Sequence, residues 1–370
     1  KDGSMQESFP REDNLRLLKK VKIPLKNVIQ RKAKPNDIQH NKFMILLKGA
    51  AQQAAEVWTG STNISEGGLF GQTNVGHWVR NADLAQRFVD YWNLLSKDPG
   101  PKDGDARAIV LRKNQEFRNS IEALGTVPQS VEQIQTGITP VFSPRNGLSI
   151  LELYATLVDQ AEKHACITLA FGINKVFKER LKDNSGANAI AFFLLEKRDK
   201  PNPRSKQEFI EVNARNNVYK AWGSYLREPL HQWARETSAF GLGINTHVAF
   251  IHSKFLAMDP LSANPIVVTG SANFSDASTN DNDENMIIIR GNLRVADIYF
   301  TEFNRLFNHY YFRSVIEDLS SSENNPPNTP KPDQGASMFL AESDTWLRKY
   351  KPGSLRRKRV QILKDMKGII

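Results

Sequence analysis

A single cysteine, Cys166, occurs in the chain, so no disulfide can form within it. It lies inside the apolar run HACITLAFGI, where a lone thiol packs as a small hydrophobe rather than acting as a nucleophile. No uninterrupted stretch of about 18 apolar residues is present, which excludes an ordinary membrane-spanning helix. No basic segment followed by an apolar core is visible as a secretory leader, so a cytoplasmic location is expected. The opening KDGSM and the short stretch before His40 lead us to expect a fragment that has lost leading strands, a helix and any targeting signal. The acidic run from Asn280 to Glu284, NDNDE, lacks the sixth-position glycine and twelfth-position glutamate of a calcium-binding EF-hand loop.

Positive charge, by contrast, is plentiful: 50 Lys and Arg stand against 40 Asp and Glu, a net charge of +10. Such a balance attracts polyanions or an anionic membrane surface over long range. Nucleic acid is therefore the expected partner, with phospholipid as the other candidate. At 370 residues and 40% apolar content, the chain can bury a core in each of two lobes.

Two stretches repeat one arrangement of polar side chains. The first reads HNKFMILLKG and then WTGSTNIS, with His40, Lys42, Gly60, Ser61 and Asn63. The second reads HSKFLAMDP and then VTGSANFS, with His252, Lys254, Gly270, Ser271 and Asn273. Both occur in the same order, and each is followed by an apolar strand and an amphipathic helix, which points to a duplicated unit with both histidines at one site. Alternation of polar and apolar residues predicts strands on which His40 and Lys42 share one face, and likewise His252 and Lys254. Lys supplies charge and donors, Asn amide donors, and Ser a hydroxyl, a set suited to the non-bridging oxygens of a phosphate. Ser61 and Ser271 are accordingly expected to contact substrate. One imidazole can attack phosphorus to form a phosphohistidine while the other protonates the leaving oxygen. Two lysines already neutralise the phosphate, so neither a metal nor another cofactor is required.

The pattern HxKx4D followed by GSxN, present twice, resembles the phospholipase D superfamily over roughly residues 30 to 315. The second copy matches with His252, Lys254, Asp259, GSANFS and then Glu284 and Asn285. The first departs from it, with Leu47 at the position of Asp259 and Asn74 at that of Glu284. The resemblance implies two pseudo-symmetric α/β lobes, each a mixed sheet flanked by helices, with the active site at their interface. It also implies that the acidic partner of one histidine comes from the opposite lobe, which would place Glu284 behind His40 and Asn74 opposite His252. On that basis His40 is expected as nucleophile and His252 as general acid. The catalytic set is then His40, Lys42, Asn63, His252, Lys254, Asn273 and Glu284, and one chain suffices to build it.

The predicted organisation is a first lobe over residues 1–98, a connector over 99–136, a second lobe over 137–318, and a linker with a basic tail over 319–370. Helices are expected in ADLAQRFVDYWNLLSKD, with Leu84, Phe88, Tyr91, Trp92 and Leu95 inward, and in LRVADIYFTEFNRLFNHYYF, with Val295, Ile298, Tyr299, Phe303, Leu306 and Phe307 inward. A third is expected in LSILELYATLVDQAEKHA, and weak helicity from Asn114 to Leu124. CITLAFGI and AIAFFLLE read as strands covered on both faces. His77 and His247 read as structural, and Arg145 in FSPRNG as part of a turn. The terminal KPGSLRRKRVQILKDMKG reads either as a solvated basic helix or as an arm for nucleic acid or anionic lipid. The activity expected is a metal-independent phosphodiesterase, a nuclease by preference. A phospholipase D or phosphatidyltransferase is disfavoured by the polar loops SEGGLFGQTN and SDASTNDND, and a catalytically degenerate nucleic-acid-binding module by the intact His and Lys pairs.

Overall fold

Short apolar runs punctuated by glycine and proline settle into strands, and the longer amphipathic stretches into helices. The computed structural model describes residues 11–34, 37–65, 67–184, 189–201, 208–223, 250–323 and 343–364. Helix α1 (Arg11–Lys20) precedes a small antiparallel sheet of β1 (Phe43–Lys48), β2 (Gln53–Gly60) and β3 (Gly76–Val79), in that order. Helix α2 (Ala82–Ser96) follows, its first turn capped by the Asn81 side chain, which accepts from the Leu84 amide at 2.8 Å. Leu84, Phe88, Tyr91 and Leu95 are buried as predicted, whereas Trp92 is 47% exposed, because it lies at the flank of the apolar stripe. The connector holds a full helix, α3 (Arg107–Glu122), which drives Phe117 and Ile121 into the core. Its helicity is underestimated by the sequence because apolar residues are few and tertiary packing supplies the stabilisation.

The second sheet has seven strands among the described residues. In chain order these are β4 (Gly137–Ser143), β5 (His164–Leu169), β6 (Ile190–Leu195), β7 (Val218–Trp222), β8 (Phe255–Met258), β9 (Ile266–Gly270) and β10 (Glu284–Arg290). Their spatial order is β4-β10-β9-β8-β5-β6-β7, with β5, β6 and β7 mutually parallel and the other pairings antiparallel. Every residue of β5 and β6 is buried, as continuous apolar runs require. Helices α4 (Ser149–Asp159), α5 (Lys175–Leu181), α6 (Asp276–Asn280) and α7 (Leu293–Glu323) complete this lobe. Tyr299, Phe303, Leu306 and Phe307 of α7 are buried, but Ile298 is 57% exposed. The helix runs on to Glu323, so the predicted lobe boundary at residue 318 falls inside it.

One apolar cluster joins the two sheets. It includes Val57, Phe88 and Tyr91 of the first lobe together with Phe142, Phe255 and Phe303 of the second. A second cluster fills the space between α4, α5 and the opposite face of the large sheet. The C-terminal α8 (Leu355–Lys364) folds back on the second lobe, with Arg359 over the rings of Phe192, Tyr219, Phe307 and Tyr311 at 5.3–5.9 Å. Part of the basic tail is thus spent on packing. No helix among the described residues is long and apolar enough to cross a membrane. The expected linker lies largely outside the described residues, as does His247.

Candidate active site

Two short parallel bridges bring the halves of the site together, Gln39 beside Asp283 and Thr73 beside Ile251. Through them the His40 amide donates to the Asp283 carbonyl at 3.0 Å and the His252 amide to the Thr73 carbonyl at 3.1 Å. In return the Asp283 amide donates to Ile38 at 3.0 Å and the Thr73 amide to Phe250 at 2.8 Å. The same two-bond arrangement therefore occurs twice, once around each histidine. The alternation expectation is corrected in one respect: β1 begins at Phe43 and β8 at Phe255, so each histidine and lysine sits on the extended approach to its strand. The bridges hold that approach straight in place of a sheet ladder.

The ring centroids of His40 and His252 stand 6.4 Å apart at an interplanar angle of 73°. Behind His40, Nδ1 lies 2.9 Å from both oxygens of Glu284. Behind His252, Nδ1 lies 2.8 Å from Oδ1 of Asn74. The Asn74 amide is oriented by its own Nδ2, which donates to the Gly68 carbonyl at 2.8 Å, so Oδ1 must accept from His252. Both Nδ1 atoms thus carry protons, and both Nε2 atoms of the neutral rings are left with a bare lone pair.

Ser61 and Ser271 are fully buried, which corrects their expected contact with substrate. Ser61 Oγ donates to Asn74 Oδ1 at 2.9 Å and accepts from the Val75 amide at 2.9 Å. Ser271 Oγ donates to Glu284 Oε2 at 2.7 Å and accepts from the Asn285 amide at 3.0 Å. The hydroxyls therefore position the groups behind the histidines. The glycines before them permit this closeness, since a Cβ at Gly60 or Gly270 would fall 2.2 Å from the carbonyl of Val75 or Asn285. Glu284 receives a further bond from Ser278 Oγ at 3.2 Å, a contribution the sequence does not reveal because α6 has no motif. Glu196 is likewise invisible in the sequence; its Oε2 accepts from the Ile251 amide at 2.6 Å and fixes the approach to His252.

Lys42 and Lys254 each turn Nζ back to the carbonyl of the preceding histidine, Lys254 at 2.6 Å. Burial lowers Lys42 to about 8, and burial with the neighbouring Lys42 charge pushes Lys254 well below its ordinary value. His40 is lowered by burial, against the pull of Glu284. Burial by itself would raise Glu284, but the His40 ring and the Ser271 hydroxyl outweigh it, and the carboxyl lies below its ordinary value. His252, backed by an amide and facing Lys254, His40 and Lys42, is driven by burial and those charges to about 2. Asn63 and Asn273 are half-buried, and Oδ1 of Asn273 is a buried oxygen with no partner among the described residues.

Asp259 stands apart from the chemistry. Its carboxylate accepts from the amides of Glu162, Lys163 and His164 at 2.8, 2.8 and 3.0 Å, tying the entrance of β5 to the end of β8. Arg145 is buried, donating to the Phe142 carbonyl at 3.4 Å, and His77 stacks on Tyr299 at 5.3 Å between the lobes. One loop differs from its predicted polar character. A π-helical turn at Gly67–Gly71, held to the site by the Gly68 carbonyl, exposes Leu69 and Phe70, the latter by 83%.

A family model described as cardiolipin synthase, PLD-like domain, matches residues 194–307. No curated protein matches the chain. Among solved structures, Nuc, a phospholipase D family member from Salmonella typhimurium, is similar at 14% identity and a TM-score of 0.32 over 47% of this chain and 95% of that one. NucT from Helicobacter pylori is similar at 12% identity and a TM-score of 0.33 over 46% of this chain and 95% of that one. Phosphatidylserine synthase from Haemophilus influenzae is similar at 13% identity and a TM-score of 0.40 over 74% of this chain and 65% of that one.

Proposed function

We propose that this chain, which carries a phospholipase D-like domain, is a phosphodiesterase that works through a phosphohistidine and cleaves nucleic-acid phosphodiesters. The observation that carries this reading is the pair of imidazoles with ring centroids 6.4 Å apart, one backed by a carboxylate and the other by an amide. His40 Nε2 attacks phosphorus, a nitrogen–phosphorus bond forms, the phosphorus–oxygen bond opposite breaks, and the leaving oxygen takes a proton from His252. Water then attacks phosphorus from the vacated side, gives its proton to His252, and displaces His40.

The difference between the two second partners supports this division of labour. Phosphorylated His40 carries positive charge, which Glu284 balances at 2.9 Å. His252 has no carboxylate, so as an imidazolium it is the stronger acid and gives up its proton readily. Its protonation is sustained by the bound phosphodiester anion, which supplies the counter-charge that Asn74 does not. Lys42, Lys254, Asn63 and Asn273 surround the non-bridging oxygens as charge redistributes. Metal independence is part of the proposal, and turnover in excess EDTA tests it.

The direct test is rapid quenching of the His252→Asn variant with a labelled phosphodiester. An acid-labile adduct on His40 should accumulate, since the second step lacks its base, whereas His40→Asn should give none. Turnover by His252→Asn at the wild-type rate rejects the scheme. A phospholipid substrate is the second reading, favoured by the exposed Leu69 and Phe70 beside the site. Cleavage of phosphatidylcholine vesicles but not of DNA or RNA under chelation would select it.

A further inference from the structure

A cavity of about 610 Å³ that no catalytic step uses shares one wall residue with the site. Asn273 belongs to both, since it lies in the GSxN motif and also on the cavity wall. The cavity sits past the C-terminal ends of the parallel strands β5 and β6, at the crevice where open α/β sheets bind ligands. Its wall carries five cationic side chains against Asp199 and Glu208. Lys178 is committed, paired with Asp199 at 3.0 Å and lying 4.0 Å over the Phe209 ring. Lys197 and Lys200, just beyond β6, are exposed instead. On the same cavity wall Phe171 presents 64% of its surface beside Gly172, whose φ of +82° suits glycine.

A cavity of this size, lined by Asn273 and combining exposed ammonium groups with an open aromatic face, matches one further nucleotide of a single strand. We propose that it is a binding subsite for the nucleotide next to the scissile phosphodiester, with the base on Phe171 and its phosphate between Lys197 and Lys200. The inference rests on the phosphodiesterase reading above and adds to it where the rest of the strand lies. The chemistry of this wall fits a strand better than an acyl chain, because it carries five cationic side chains, two of them the exposed Lys197 and Lys200.

The test compares Phe171→Ala and the double variant Lys197→Ala with Lys200→Ala against wild type. Two substrates are used, a single-stranded oligonucleotide and bis(p-nitrophenyl) phosphate, which is too short to reach the subsite. The ratio of kcat/KM for the oligonucleotide to that for the small ester should fall about tenfold in each variant. A ratio within twofold of wild type overturns the subsite. Fluorescence anisotropy of the same oligonucleotide, labelled, should show a matching loss of affinity, and this readout survives even if wild type turns over neither substrate. In that case the catalytic reading fails separately, and unchanged affinity in the variants overturns the subsite. Loss of phosphatidylcholine vesicle cleavage with the oligonucleotide ratio intact assigns the cavity to a lipid headgroup and overturns it too.

Discussion

At His40 the Nδ1 proton faces both oxygens of Glu284 at 2.9 Å, whereas at His252 it faces the amide oxygen of Asn74 at 2.8 Å. The same backbone frame thus holds two imidazoles of unlike basicity, which is what acid and nucleophile roles demand. Lys42 adds a titration that activity should report. It is charged below about 8 and neutral above. As pH rises through that value the site loses positive charge facing the phosphate, so kcat/KM should fall. Lys42→Arg stays charged throughout. In that variant the alkaline decline should disappear or move upward by more than a unit, even if the maximum is lower; a decline left in place would assign it to another group. The histidines, lysines and asparagines of this site are readable in the sequence because their spacing follows from an extended chain. The serines are not. Their hydroxyl direction depends on which residue of a neighbouring strand stands behind the histidine, so they turn out to bond Asn74 and Glu284 instead of substrate.

At the scale of elements, the missing acid of the first motif finds a structural reason. Asp259 serves the amides at the entrance of β5, which pairs with β8. Strand β1 occupies the place in the first sheet that β8 occupies in the second, and its outer edge has no β5-like neighbour among the described residues. Leu47 therefore has no loop to cap, and an aspartate there would gain nothing. Replacing Asp259 with Ala should destabilise the second lobe by about 1–3 kcal/mol, since three amides lose a charged acceptor and two of them can turn to water. Chemical denaturation measures it, and a loss of kcat without a loss of stability would mean that Asp259 acts on the chemistry after all. Helices α2 and α7 are legible from their apolar period. Helix α3 is less so, because Phe117 and Ile121 are a thin stripe until the connector packs against α2 and β4.

Across the whole molecule, the net charge of +10 becomes a prediction about salt. If Lys197, Lys200 and the two site lysines each neutralise a phosphate or share one, oligonucleotide affinity should fall steeply between 50 and 200 mM salt, with a log–log slope on the order of −2. Turnover of the small ester should change far less. Equal salt sensitivity for both substrates would place the charge effect at the reacting phosphorus alone. Part of the basic tail takes no share in this, because Arg359 is stacked on four aromatic rings of the second lobe.

The sequence by itself determined which chemical groups are present, their order within each motif, and the strand and helix character of the segments that carry them, because these depend on neighbours a few residues away. Glu284 behind His40 and Asn74 behind His252 are expected from the family resemblance and not from spacing, and folding alone decided that both serines turn inward and that Leu69 and Phe70 face solvent while Asn273 lines a cavity. Those outcomes join residues far apart along the chain through the bridges at Asp283 and Thr73 and the shared apolar cluster, so no local spacing could encode them.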